Sequence, residues 1–259
     1  MATPRSGLIT LLTDFGTADT YVGTMKGVIL SIAPQVRLVD LTHEVPPQAV
    51  GVAAFLLGSS CRYFPPGTVH VAVVDPGVGS ERRVLAVESL GHLFLAPDNG
   101  LLTPVLDDAI EIRTVTAKEY FLPKVAAVFH GRDLFAPVAA HVAIGVPLAA
   151  LGPVAVAPER LERSRRSSAT AGILGQVIHV DRFGNLITDV RAEELPVSHP
   201  VQVSIEGQVV GPVRRTYSDA ADGEPLALIS SCGCLEIAVR NGSAARHFAA
   251  GRGASVEVC

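Results

Sequence analysis

The chain contains no tryptophan, and aromatic residues make up only 5% of it, so a broad aromatic platform for stacking bases or sugars is excluded. Basic residues are scarce as well. Lysine occurs only at Lys26, Lys118 and Lys124, and the net charge is −4, which leaves no clustered positive surface of the kind that tracks a phosphate backbone. Nucleic acid is therefore not an expected partner. No apolar run reaches the roughly 18 to 20 residues that a membrane-spanning helix needs, and the start, Met1 to Ser6, lacks the apolar core of a secretory signal. A cytoplasmic location without a membrane partner is the expectation. The cysteines, Cys61, Cys232, Cys234 and Cys259, are too few and too unevenly placed for a disulfide framework. Cys232 and Cys234 have no second pair at zinc spacing and no His-x-x-x-His occurs, so reduced thiols and no metal are expected.

What is present is 259 residues, 48% of them hydrophobic and mostly Ala, Val and Leu. That is enough to bury a substantial core in one large or two modest domains, and the mix suits close-packed α/β sheets. Residues 8–13 form an apolar run ending at Asp14, and a helical pattern follows over 21–32. The alternation repeats with a strand over 36–41, a helix over 49–57 and a strand over 69–74 ending at Asp75. Further strands are predicted at 84–87 and 93–96, and a helix at 134–144. Strands alternating with helices predict an α/β domain with a largely parallel sheet over residues 1–152. Ligand-facing side chains in such sheets lie just beyond the carboxyl ends of the strands, where this reading puts Asp14, Asp40 and Asp75. Any one of these aspartates serves equally well as a cap for a helix or turn.

Residues 153–170, with two prolines and a polar run, read as a linker. From 171 to 259 the texture changes to short β-branched runs at 175–180, 186–190, 201–205, 208–213, 226–229, 235–239 and 255–258, separated by Gly, Asn or Asp. They predict a smaller all-β domain, antiparallel and barrel-like or a sandwich.

Three clusters carry chemistry. Asp75, Gly77, Gly79, Arg82 and Arg83 share a glycine-rich turn after a strand, but the Gly-Lys-Ser/Thr ending of a phosphate loop is absent. An Asp beside an Arg is held as the carboxylate, whether the pair serves chemistry or steadies a loop. His130 stands just ahead of a predicted helix, placed to orient a water or a carboxylate, or simply to begin that helix. Asp181, Phe183 and Asn185 form a polar turn between two apolar strands. A hairpin explains Gly184 and Asn185, while an aromatic ring flanked by Asp and Asn suits stacking on a flat ring and bonding to its edge. Ser230, Ser231 and Arg240 add hydroxyl and guanidinium groups on another strand and turn.

Taken in order, several blocks resemble the S-adenosylmethionine hydrolases, or hydroxide adenosyltransferases, which are similar to the fluorinases and chlorinases. The blocks are Leu12-Thr-Asp14-Phe-Gly16, Tyr21-Val-Gly-Thr-Met25-Lys-Gly27, Asp40-Leu-Thr-His43 with Val45-Pro-Pro47, Val74-Asp-Pro-Gly-Val-Gly79 with Arg82, and Ala96-Pro-Asp-Asn-Gly100. Phe129-His-Gly-Arg-Asp-Leu-Phe135, Asp181-Arg-Phe-Gly-Asn185 and Leu235-Glu-Ile-Ala-Val-Arg-Asn-Gly-Ser243 complete the set.

The resemblance implies an N-terminal α/β domain, a C-terminal β-barrel, and a homotrimer whose sites lie between one subunit's N-terminal domain and its neighbour's C-terminal domain. It implies Asp75, Arg82 and His130 as the catalytic set. Asp14 would bind the ribose hydroxyls, with Asp19 near the methionine moiety. Phe183 and Asn185 would contact adenine, as would Arg240, and Asp181 and Ser231 would surround the amino-acid end of methionine. Cys232 stands where the family's halogenases carry an Arg for the methionine carboxylate, so backbone N–H groups near Ser231 or Gly233 would replace it. The implied reaction is hydrolysis of S-adenosylmethionine to adenosine and L-methionine by water or hydroxide attack at C5′, without a cofactor. An S-adenosylmethionine-dependent halogenase and a non-catalytic adenosine- or S-adenosylmethionine-binding protein are the alternatives. A Rossmann-type dehydrogenase is disfavoured, because no Gly-x-Gly-x-x-Gly follows the first strand.

Overall fold

The computed structural model describes residues 4–162, 172–196 and 201–259. They divide into two compact units, Met1–Leu161 and Glu162–Cys259.

The first unit is built on six strands, β1 (Leu8–Thr13), β2 (Arg37–Thr42), β3 (Val69–Val73), β4 (Val84–Ser89), β5 (His92–Pro97) and β6 (Ala109–Thr114). Their order in the sheet is β2-β1-β3-β5-β4-β6. The pairs β1/β2, β1/β3 and β3/β5 are parallel, while β4 runs antiparallel to both β5 and β6. The central strands β1 and β3 are buried at every position, which is why they read as continuous apolar runs. Their side chains still alternate between two cores. Ile9, Leu11, Val71 and Val73 meet Met25 and Ile29 of α1 (Tyr21–Ile32) and Val138 and Ala139 of α3 (Ala136–Ala143). Leu12, Ala72 and Val74 meet Val52, Ala53 and Leu57 of α2 (Val50–Ser60) on the opposite face. Helices on both faces make this a three-layer unit. Among the described residues, no helix is long and apolar enough to cross a membrane.

Several expectations shift. Asp40 lies within β2, at the edge of the sheet, and not beyond its end. β6 escaped the sequence reading because its alternation is partly masked: Ile110 is exposed and Arg113 pairs with Glu111. The third helix begins with a π-helical turn, Gly131–Phe135, before α3. The beginning of the stretch read as a linker is bound to the first unit. Thr114 N–H donates to Pro153 O, Ala155 N–H to Ile112 O, and Leu161 N–H to Thr103 Oγ1, while Arg83 donates to the carbonyls of Val156 and Ala157. Residues 163–170 of that stretch lie outside the described residues.

The second unit is a closed barrel of seven strands in the order β10-β11-β12-β8-β7-β13-β9. The strands are β7 (Ile173–Val180), β8 (Leu186–Arg191), β9 (Gln202–Ile205), β10 (Gln208–Arg214), β11 (Pro225–Ile229), β12 (Cys234–Val239) and β13 (Ser255–Val258). The expected antiparallel pairing holds except between β10 and β11, which are parallel. Two-residue periodicity fills the interior with Val177, Leu186, Val203, Ile205, Leu235, Ile237, Val256 and Val258. Ala244 and Phe248, from the short helix α4 (Ala244–His247) and the residue after it, complete that core. β12 is buried on both faces, because Leu226, Leu228 and Ala238 pack against Ala220 in a second, smaller cluster.

Candidate active site

In the first unit the chain leaves β1, crosses through α1 to β2 on one side, and then crosses through α2 to β3 on the other side of β1. The loops after β1 and β3 therefore diverge and leave a crevice beyond the strand ends, the usual ligand position in an open α/β sheet. Asp14 follows β1 and Asp75 follows β3. Both line a cavity of about 420 Å³ together with Phe15, Tyr21, Gln48, Val78, Phe129 and His130.

The loop after β3 folds back on itself. Val78 N–H donates to Asp75 O, Ser80 Oγ donates to Gly77 O at 2.7 Å, and Arg82 N–H donates to Ser80 Oγ at 3.2 Å. Gly79 is needed in this turn: its φ is +80°, and a Cβ there would stand 2.6 Å from Ala127 O. The fold-back aims Arg82 at Asp75. Nε lies 3.0 and 2.9 Å from the two carboxylate oxygens, and Nη2 lies 2.5 Å from Oδ2. The side chains are only 11% and 5% exposed, so this pair escapes most of the solvent screening that weakens surface ion pairs. The guanidinium also lies 5.8 Å from the centre of the Phe135 ring.

The same Nη2 is 2.7 Å from His130 Nδ1. A guanidinium can only donate, so Nδ1 accepts and a neutral imidazole carries its hydrogen on Nε2. Burial, and then the Arg82 charge, lower the His130 pKa below the ordinary imidazole value, against smaller opposing contributions from Asp75 and Asp133. His130 is therefore a neutral donor at Nε2. Asp133 anchors the segment before His130: it is buried, pairs with Arg132, and accepts from Ala126 N–H at 2.8 Å. Phe129 meets Phe15 and Tyr21 edge-on, and those two rings are tilted against each other, with centroids 5.2 to 6.1 Å apart, which makes an apolar wall.

The structure brings Asp14, Asp75, Arg82 and His130 together. Asp19 lines a different depression of about 520 Å³, with Thr17, Lys26, Asp40 and His43. Arg83, also in the glycine-rich stretch, turns away to Asp98.

In the barrel, Asp181, Phe183 and Asn185 form one turn. Asp181 Oδ1 accepts from the N–H groups of Phe183 and Asn185, and Oδ2 accepts from Asn185 Nδ2 at 3.1 Å. Asn185 is 7% exposed and Phe183 is 76% exposed, which leaves the ring free to stack on a partner. Ser231 is exposed in the turn between β11 and β12. Its neighbour Ser230 is used internally, donating to Cys234 O and lying 3.0 Å from Cys232 Sγ. Arg240 is likewise engaged, with Asp222 and the carbonyls of Ser218 and Ala220.

Sequence reasoning missed Tyr217 and Glu236. Tyr217 OH donates to buried Glu236 at 2.5 Å, and burial raises the Glu236 pKa. A lone Glu inside the apolar run of β12 was the available signal. Among the described residues, no group of three or more His, Cys, Asp or Glu is arranged to hold a metal.

Comparison with known proteins follows the same division. The model of the SAM hydroxide adenosyltransferase N-terminal domain matches residues 9–152, and that of the C-terminal domain matches residues 175–257. A Thermus thermophilus protein named (R)-S-adenosyl-L-methionine hydrolase is 44% identical over 243 residues, covering 90% of this chain and 92% of that protein. A protein from Actinoplanes named fluorinase is 29% identical, with coverage of 91% and 92%. A crystal structure of an uncharacterized conserved protein from Thermotoga maritima superposes with a TM-score of 0.90 at 36% identity, over 97% of this chain and all of the other.

Proposed function

Since the chain belongs to the SAM hydroxide adenosyltransferase family, we infer that it hydrolyses S-adenosyl-L-methionine to adenosine and L-methionine. The observation that carries this reading is the hydrogen-bonded chain of Asp75, Arg82 and His130 at a cavity that also presents Asp14. The relatives named hydrolase specify the R configuration at sulfur, and we extend that preference to this chain.

The sulfonium makes methionine a good leaving group, so the chemistry to be supplied concerns the nucleophile. Water attacks C5′ in line, the C5′–S bond breaks with its electron pair passing to sulfur, and one water proton must be removed. His130 cannot remove it: Nδ1 is occupied by the Arg82 donor and Nε2 already bears hydrogen. It donates to the water and fixes its orientation. Asp75 keeps unshared lone pairs beside those taken by Arg82, and it accepts the proton. Arg82 aligns both partners from behind. Asp14 binds the ribose hydroxyls and so holds C5′ within the near-attack distance of about 3 to 3.5 Å from the water. The apolar wall of Phe15, Tyr21 and Phe129 limits competing solvent. Each step is completed by side chains and water, so no cofactor enters the proposal.

The remaining contacts implied by the resemblance belong to the same proposal. Phe183, Asn185 and Arg240 take adenine, and Asp181, Ser231 and Asp19 take the methionine end. So do the homotrimer, with the barrel residues serving a neighbouring subunit, and a cytoplasmic location, which suits four free thiols. Sedimentation tests the assembly. Mixing the inactive variants Asp75→Ala and Asn185→Ala restores activity if a site draws on two chains.

The reaction is tested by incubating the protein with the R and S sulfonium epimers in ¹⁸O-water and following adenosine by mass spectrometry. Label in the 5′-hydroxyl, from the R epimer and not from the Asp75→Ala variant, is expected. Unlabelled product, or binding without turnover, overturns the reading. Added fluoride or chloride should yield no halogenated nucleoside, because a carboxylate at the nucleophile position repels an incoming anion and welcomes a water donor.

A further inference from the structure

Asp14 stands on a turn with no regular structure of its own, Asp14-Phe15-Gly16; its carboxylate accepts from Gln48 N–H at 2.8 Å, and the backbone of the turn is tied to His43. Gly16 N–H donates to His43 O at 2.8 Å. Phe15 N–H donates to Thr13 Oγ1 at 3.2 Å, and Thr13 Oγ1 lies 2.8 Å from His43 Nδ1. The far side of the imidazole faces Asp40, with Nε2 3.0 Å from Oδ1, and Asp40 Oδ2 receives Lys26 Nζ of α1 at 2.6 Å. A carboxylate facing Nε2 favours hydrogen on that nitrogen, which leaves Nδ1 to accept from the Thr13 hydroxyl. Thr13 Oγ1 then keeps its lone pairs for Phe15 N–H, so the proton assignments agree along the whole chain.

Asp40, His43 and Thr13 follow the order of a nucleophilic triad, but a nucleophile must reach its substrate. Thr13 is fully buried in β1 and His43 is 4% exposed. The hydroxyl is spent on a backbone amide. The arrangement is a splint. We propose that His43 is a positioning residue that acts through Asp14, fixing the turn that presents the ribose-binding carboxylate. Asp40, itself paired with Lys26, lies at ion-pair distance from the far side of its ring, at the edge of the sheet. This proposal rests on the reading of Asp14 as the ribose contact.

The test is a double-mutant cycle on the full-length protein, reading kcat/KM for S-adenosylmethionine and the Kd for adenosine by calorimetry. His43→Ala should lower kcat/KM by on the order of 10²-fold, as a displaced binding group does, and weaken adenosine binding. His43→Asn places an amide where Nδ1 stood and should recover most of the loss. In the Asp14→Ala background His43→Ala should add almost nothing. If it retains its full effect there, or if Asn is no better than Ala while both fold by circular dichroism, the positioning role is wrong. If His43→Ala does not fold, the Asn variant and Asp40→Asn are read in the same cycle. If Asp14→Ala leaves adenosine binding unchanged, the ribose reading itself falls and takes this proposal with it, a result distinct from an additive cycle.

Discussion

Arg82 donates from one nitrogen, Nη2, to both Asp75 and His130, at 2.5 Å and 2.7 Å. One planar group thereby sets the angle between the proposed base and the group that orients the water. Lysine offers a point charge without the fork and cannot fill these contacts together. The Arg82→Lys variant should lose on the order of 10²-fold in kcat while adenosine affinity stays near wild type. A loss confined to KM would show that Arg82 serves binding and not the chemical step.

The depressed His130 pKa fixes the sign of the pH response. A base with a lowered pKa stays neutral as pH falls through the ordinary imidazole range, near 6.5, and protonates only below it. Activity should be level around neutrality and show its acid limb below that range, since a protonated ring no longer accepts from Arg82. His130→Asn, which can accept through Oδ1 and does not titrate, should lose this limb in a kcat profile. A limb unchanged in that variant belongs to another group.

Much of this was legible in the sequence, for identifiable reasons. Strands β1 and β3 announce themselves because burial on both faces leaves no polar interruption. Asp14 and Asp75 are visible as the first acidic residues beyond them. The Asp75–Arg82 pair could be anticipated because the six residues between them, two of them glycine, make a loop that folds back. The π-turn after His130 and the parallel β10/β11 pair depend on tertiary packing and have no periodicity of their own. Asp40 is followed by one more residue of the strand read over 36–41 and lies two before the observed end of β2, so it is a residue of the exposed edge strand and not of the loop beyond it. The role of His43 is only half visible locally: Asp40 stands three residues away, but Thr13 lies thirty residues upstream and Lys26, which pairs with Asp40, is on α1.

Far from the cavity, His70 and His92 are buried with rings 5.1 Å apart, and His70 Nδ1 lies 2.7 Å from Thr10 Oγ1. Burial first, and then the neighbouring His92, push the His70 pKa down to about 3. The unfolded chain therefore binds more protons between pH 6.5 and about 3. Stability is complete above the unfolded value and falls as the medium is acidified through that window, by about 1.4 kcal/mol per pH unit for one proton. With no tryptophan to report unfolding, urea melts followed by circular dichroism are the measurement. The variant Thr10→Val/His70→Phe, which removes both hydrogen-bonding partners, should lose stability less steeply between pH 6 and 4. An equal slope would place the acid sensitivity elsewhere.

Cys232 is half-buried beside Ser231, and hydrogen bonds with Cys234 and Ser230 outweigh burial and hold its pKa down to about 5. It should react with iodoacetamide at pH 7 as a thiolate, well ahead of buried Cys61 and Cys234. Peptide mapping after brief labelling checks the order. Ser230→Ala should slow the reaction at Cys232 at pH 6 more than at pH 9, whereas equal slowing would signal a change in access.

The strand order β2-β1-β3 has a consequence for how the chemistry can change. Asp14 and the Asp75 loop hang from neighbouring strands whose spacing, about 4.8 Å, is set by a backbone ladder in which Thr13 pairs with Val73. The carboxylate proposed to hold the sugar and the loop proposed to hold the nucleophile are thus separate segments hung from a shared frame. The segment from Asp75 to Arg82 can be rewritten without moving the carboxylate after β1. A frame of this kind lets the surroundings of the proposed nucleophile be revised from the loop after β3 and the His130 segment that pairs with it, while the turn after β1 keeps its place.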